Sequence, residues 1–95
     1  MVNAIVLMNV EPARINDVAE RLVEIDGVSE VYSVGGRYDI AVIIRVANNE
    51  ALSDIVTGKF LKIAGIQSSE TLIAFRTFSK HDLERLFSIG MEPAD

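Results

Sequence analysis

An α+β fold, with elements in the order β-α-β-β-α-β and one further helix, is predicted by three observations. Two runs rich in Val and Ile, residues 2–10 and 39–46, have the length and composition of strands. Two other stretches carry apolar residues at the i, i+3, i+4 spacing of an amphipathic helix. A glycine pair, Gly35-Gly36, separates two strand-like runs and marks an antiparallel hairpin.

Each element follows from its residues. Val2 to Val10 is nearly all apolar, with Asn3 and Asn9 towards its ends. Glu11-Pro12 breaks it, and proline is well tolerated at the first position of a helix. Ile15, Val18, Ala19 and Leu22 then form an apolar stripe, and Asp17 can pair with Arg21 one turn on. Gly27 sits past the helix end, where a left-handed cap is wanted. Val28 to Val34 alternates as a strand, and the hairpin glycines lead into the strand Asp39 to Val46. Asn48 and Asn49 are both good N-caps for the second helix, whose apolar residues are Leu52, Ile55, Val56, Phe60 and Ile63. Gly58 inside it costs ~1 kcal/mol relative to alanine, which predicts a kink or a frayed last turn. Gly65 closes that helix. Ile66 to Phe78 reads as the last strand, with Thr71, Ile73, Phe75 and Thr77 on one face. Ser79-Lys80-His81-Asp82 fits the capping box of a terminal helix over about 80–89, and the tail 91–95 is expected to fray.

A short internal repeat supports this order. Ile25-Asp26-Gly27-Val28 is echoed by Ile63-Ala64-Gly65-Ile66, each ending a helix and starting a strand. Two βαβ halves of this kind make the ferredoxin-like split βαβ, with both helices on one face of an antiparallel sheet. The other face poses a problem, because a half-exposed sheet should alternate apolar with polar residues. Ile5 and Leu7 oppose Ala4, Val6 and Met8, and Ile40, Val42 and Ile44 oppose Ala41 and Ile43. Both faces of the central strands therefore favour burial. The simplest cover is a second copy, giving a dimeric sheet-on-sheet, barrel-like assembly; the alternative is the terminal helix folding back over the sheet, with only Leu83, Leu86 and Phe87 as apolar anchors.

Composition narrows the function. The 95 residues make one domain, with its core in 2–78. Nine Lys and Arg against 14 Asp and Glu give a net charge of −5, and the cations are scattered, which disfavours direct DNA binding. With no cysteine and one histidine there is no disulfide framework and too few ligands for a structural zinc, so neither metal nor cofactor is expected. No apolar run approaches the ~20 residues that span a bilayer. No cation precedes the first run as in a signal peptide. A cytoplasmic chain without membrane contact is the expectation.

Two polar constellations are candidates for a site. Gly35-Gly36-Arg37-Tyr38-Asp39 offers backbone access at the glycines, an aromatic wall at Tyr38 and an ammonium partner at Asp39. The plainer reading is hairpin punctuation, with Asp39 bonded to turn amides and Arg37 solvated. Gln67-Ser68-Ser69-Glu70-Thr71 offers hydroxyls and amides for a carboxylate, or simply an irregular strand start. Ser79, His81 and Asp82 do not face one another on a helix, so no nucleophile–base pair follows.

These motifs carry a resemblance. Val34-Gly35-Gly36-Arg37-Tyr38-Asp39-Ile40 resembles the glycine-x-x-aspartate hairpin of the Lrp/AsnC family of transcription regulators. Ile63-Ala64-Gly65-Ile66, followed by Thr71, is similar to that family's last α–β unit. The likeness covers residues 2–78 and is to the ligand-binding half, the RAM domain. Full family members also carry a helix-turn-helix domain. This chain enters its first strand almost at once, so a stand-alone module is expected. The resemblance implies a ferredoxin-like protomer that dimerises through its sheets, with dimers joining into tetramers, octamers or similar rings. Small amino-acid effectors would bind between dimers, and full-length regulators of the family would be candidate partners. Gly36, Tyr38 and Asp39 would form one side of the effector pocket, with Arg37 in the same turn. Ser68, Ser69 and Thr71 of a neighbouring dimer would be candidates for the other. Two rivals stand beside this non-enzymatic reading. One is a dimeric ferredoxin-like enzyme of the small monooxygenase type, which needs a deep polar cavity, with Arg45 and Arg76 as its available side chains. The other is a purely structural oligomer with a vestigial pocket.

Overall fold

The structure, a computed structural model, describes residues 1–80. The terminal helix expected over about 80–89 lies outside the described residues beyond Lys80, as does the tail 91–95. The elements are β1 (Val2–Val10), α1 (Ile15–Val23), β2 (Val28–Ser33), β3 (Ile40–Val46), α2 (Asn49–Asp54) and β4 (Ile66–Ile73). The strands form one antiparallel sheet in the order β2-β3-β1-β4, the ferredoxin-like arrangement that the element order predicts.

The two most apolar strands, β1 and β3, lie at the centre. Their register sets Ala4 opposite Ile44, Val6 opposite Val42 and Met8 opposite Ile40, all buried. Val18 and Leu22 of α1 close over this face, with Leu52 of α2 and Ile55 and Phe60 from the turns that continue it. Met8, Leu22, Ile40 and Ile44 are among the side chains wholly removed from solvent, each contributing roughly 1.5–3 kcal/mol. The opposite face is open. Ile5 pairs with Ile43 and with Leu72, and Leu7 pairs with Ala41. Ile5 remains 38% exposed, Leu72 44% and Tyr32 47%. The central strands are therefore apolar on both sides, as their sequence predicts.

The repeated quartets build two equivalent corners. Gly27 follows α1 at φ +99° and Gly65 precedes β4 at φ +105°, both in the left-handed region that only glycine enters freely. The Gly27 carbonyl accepts from Arg45 N at 2.8 Å, and the Gly65 carbonyl accepts from Glu11 N at 2.8 Å. Each corner thus holds the exit of the strand that leads into the other helix.

Several local expectations are met in detail. A 3₁₀ turn, Pro12–Arg14, starts the first helix. Arg21 Nε lies 3.7 Å from Asp17 Oδ2. Asn48 caps α2, its Oδ1 accepting from Ala51 N at 2.8 Å. After Asp54 the second helix changes winding to a π-turn at Ile55–Lys59, which contains Gly58, and then to a 3₁₀ turn at Phe60–Lys62. The last strand is shorter than its sequence predicts, ending at Ile73 rather than Phe78. The reason is its neighbour. β1 begins at Val2, Ala4 already pairs with Ile73, and a single further bond from Ala74 N to Asn3 O remains. Beyond it Phe75 is 97% and Phe78 73% exposed. Among the described residues no helix is long and apolar enough to cross a membrane.

Candidate functional site

The β2–β3 loop is tied to the far end of β1. Val34 N donates to Asp39 O at 2.9 Å, and Asp39 N donates to Met8 O at 2.9 Å. The Asp39 carboxylate accepts from Val10 N at 2.9 Å through Oδ2. Asp39 thus satisfies a backbone amide, in β1 rather than in the turn itself. Gly36 reaches φ +108° with nothing within 4 Å of where a Cβ would sit, so conformation and not crowding calls for glycine there. Gly36 and Arg37 are exposed.

Half-buried Tyr38 crosses from this loop to β4. Its hydroxyl donates to Glu70 Oε2 at 2.5 Å, joining the hairpin to the opposite edge of the sheet. Beside that bridge, Asn9 Nδ2 donates to Ser68 Oγ at 3.2 Å. The bond to Glu70 holds the Tyr38 phenol above its ordinary pKa. Ionising it would break the bond and set a phenolate against a carboxylate. Partial desolvation acts in the same direction, and the nearby Arg37 opposes it.

Register sorts the β4 residues. Ser68 lies opposite Asn9 and Glu70 opposite Leu7, which places both on the open face. Ser69 lies opposite Met8 and Thr71 opposite Val6, on the helix-covered face. Thr71 lines a cavity of about 230 Å³ under α2, together with Leu52, Val56, Thr57 and Ile73. The structure therefore gathers Tyr38, Asp39 and Ser68 at one end of the sheet and parts them from Ser69 and Thr71. Sequence reasoning passed over Asn9, and it named Glu70 only within the 67–71 stretch without giving its carboxylate a role. The signal for Asn9 was a polar residue late in an otherwise apolar run. Nothing in the sequence pairs Glu70 with Tyr38, because the two are remote along the chain.

No group of three or more potential metal ligands occurs among the described residues. Arg45 and Arg76 do flank a cleft of about 250 Å³, with Asn3, Ile5 and Thr77. It opens on the uncovered face, not between helices and sheet. The cavity under α2 that Thr71 lines has no ionisable side chain, whereas a second cavity of about 390 Å³ beside α2 is lined by Asp26, Arg45, Asp54 and Lys59.

Residues 3–83 match the family model described as the Lrp/AsnC ligand binding domain. An HTH-type transcriptional regulator of Pyrococcus furiosus is 38% identical over 64 residues, 67% of this chain and 43% of that protein. The chain spans about half the length of the curated relatives it matches. A crystal structure of a Thermus thermophilus protein superposes with a TM-score of 0.79 at 38% identity, covering 84% of this chain and 100% of that one. The feast or famine regulatory protein from M. tuberculosis, complexed with L-methionine, superposes with a TM-score of 0.70 at 27% identity, covering 84% of this chain and 54% of that one.

Proposed function

The chain belongs to the Lrp/AsnC ligand-binding domain family, and from that premise we propose that it is a regulatory module binding a small amino acid at the Tyr38 end of its sheet. The observation that carries this reading is the Tyr38–Glu70 bridge, with Asn9–Ser68 beside it. It sets carboxylates, an aromatic ring, a hydroxyl and an amide at one sheet end, next to the exposed Gly36 turn. The chemistry suits a zwitterion. Glu70 and Asp39 attract the ammonium, while Ser68, Asn9 and the Gly36 backbone suit the carboxylate. Tyr38 walls the side chain. The L-methionine complex of the mycobacterial neighbour supports the ligand class.

The open apolar face supports dimerisation through the sheets, and the effector would sit where dimers meet in a larger ring. Ligand and assembly are then coupled, because a ligand touching two dimers favours the state in which they touch. Ser69 and Thr71 pair at the level of Met8 and Val6 on the helix side, and this reading gives them no part in the pocket. A full-length regulator of the family is the partner such a module would join in the cytoplasm, with DNA contact left to that partner. A non-enzymatic role is supported by relatives named as transcriptional regulators.

Calorimetric titration with each amino acid, together with light-scattering mass, tests the reading. One amino acid is expected to bind selectively and to shift the mass, and Asp39→Asn is expected to weaken it by roughly tenfold or more, as losing a charge-assisted bond does. Equal affinity in that variant would refute the site. Selective binding at unchanged mass would refute the coupling.

A further inference from the structure

The open face carries unmatched charge at one end. Where β1 starts, Arg45 and Arg76 flank a cleft of about 250 Å³ that Ile5 and Ile43 also line. The ion pairs among the described residues are Arg14–Glu11 and Arg21–Asp17, so neither arginine of the cleft is held by an acid. Two guanidinium groups beside apolar side chains call for carboxylates from elsewhere. The chain itself leads there. β4 ends at Ile73, Ala74 N still donates to Asn3 O, and Asn3 Nδ2 donates to Thr77 Oγ1 at 3.3 Å. Arg76 and Thr77 both line the cleft, so the residues that follow set out from the open face and not from the helix side. Their composition matches it. Past the described residues come Asp82, Leu83, Glu84, Leu86 and Phe87. On a helix Leu83, Leu86 and Phe87 share one side, and Asp82 and Glu84 fall on its two flanks. The acids come first and Leu86 and Phe87 a turn later. The face has the same order, arginines at the β1 start and then Ile5, Ile43 and Leu72. A helix over about 80–89 is ~15 Å long, the span of about four to five strand residues. Laid along the face from the level of Asn3, it reaches the level of Leu7 and leaves Asn9, Ser68 and Tyr38 uncovered. The family match ends at residue 83, so most of this segment lies beyond the family's domain.

We propose that residues 80–89 dock as a helix on this chain's own open face and thereby oppose its dimerisation. Asp82 and Glu84 meet Arg45 and Arg76, and Leu83, Leu86 and Phe87 cover Ile5, Ile43 and Leu72. The regulation rests on the dimer reading above, because one apolar patch cannot serve its own segment and a second copy at once. The two occupants respond differently to concentration. The segment is tethered by the few residues after Thr77, so its effective concentration is fixed by that short connection. A second copy binds only as its own concentration allows. Dilute chain is therefore closed and monomeric, and concentrated chain opens and dimerises. Anything that draws the segment away, such as a partner that takes its apolar side, releases the dimer.

Two measurements on the full chain test this. Leu83→Ser with Phe87→Ser removes the anchors without touching the described core. By sedimentation over nanomolar to micromolar concentrations, that variant is expected to dimerise at least roughly tenfold more tightly than the unmodified chain, since the closed form no longer withholds the face. Equal or weaker dimerisation would overturn the proposed regulation while leaving a sheet-to-sheet dimer standing. Docking itself is read by disulfides, and the chain has no cysteine to interfere. Arg45→Cys is combined in one chain with Asp82→Cys, and in another with Glu84→Cys. Ser53→Cys with Glu84→Cys, on the helix side, is the control. Oxidised at nanomolar concentration, at least one Arg45 pair is expected to close within the monomer and the control to stay open. Closure in neither Arg45 pair, or equal closure in the control, would overturn the docked helix. Closure in an Arg45 pair, with no dimer of either chain at micromolar concentration, would overturn the dimer reading and leave the docked helix standing.

Discussion

Asp39 shows how one side chain can serve structure and ligand together. Its carboxylate takes the Val10 amide, and its backbone bonds both Met8 and Val34. Asp39→Ala would leave that part-buried amide without its acceptor and is expected to cost about 1–3 kcal/mol in urea unfolding. Asp39→Asn keeps an acceptor and should cost clearly less, which makes it the cleaner probe of ligand binding. Tyr38 and Glu70 give a second prediction at this scale. Glu70→Gln should move the Tyr38 pKa down towards its ordinary value, read by ultraviolet absorbance against pH. Tyr32, bonded to Glu30 and also raised, should stay put. The sign for stability follows. With the folded pKa above the unfolded one, the contribution is complete below the unfolded value and is lost as pH rises through the folded value. The hairpin glycines, Tyr38 and Asp39 were legible as a polar cluster. Whether Ser68, Ser69 or Thr71 shared their end was not, because alternation within β4 has meaning only once its register to β1 is known.

Among elements, the two glycine corners hold helices to sheet. A Cβ at Gly27 would sit 2.7 Å from Val46 Cγ1 and 3.0 Å from Ile55 Cδ1, both on core residues. One at Gly65 would meet Arg14 Cδ at 2.9 Å, on a flexible side chain, and Arg14 Cβ and Val18 Cγ2 at 3.2 Å. Both also require the left-handed backbone. Each alanine substitution is therefore expected to destabilise by about 1–3 kcal/mol, with Gly27→Ala the worse. Gly58 differs, with open space around it and no left-handed backbone. Gly58→Ala should be neutral or stabilise by up to about 1 kcal/mol. Chemical denaturation of the three variants checks the ranking. The repeat made both corners readable in the sequence. The end of β4 was not, because Phe75 and Phe78 continue a strand-like pattern while the pairing partner stops at Val2. A strand's length is set by its neighbour as much as by its own residues.

For the whole molecule, the absence of apolar–polar alternation in β1 and β3 carried the fold furthest. It predicted a buried helix side and an apolar second side, and both are present. Ile5→Lys places a charge at the centre of the open patch while leaving the helix-side core untouched. It is expected to give a folded monomer, with circular dichroism preserved and half the mass by light scattering. Whether this fold senses an amino acid is decided by a thermal-shift screen of the full chain against the twenty amino acids at millimolar concentration, repeated with Asp39→Asn. A ligand that binds only the folded state adds ~2.7 kcal/mol of apparent stability at a hundredfold excess over its dissociation constant. A selective upward shift is expected with one or a few amino acids, and a tenfold weaker Asp39→Asn should keep about half of that stabilisation or less. No shift with any of them, or a shift that the variant retains in full, would overturn the sensor reading.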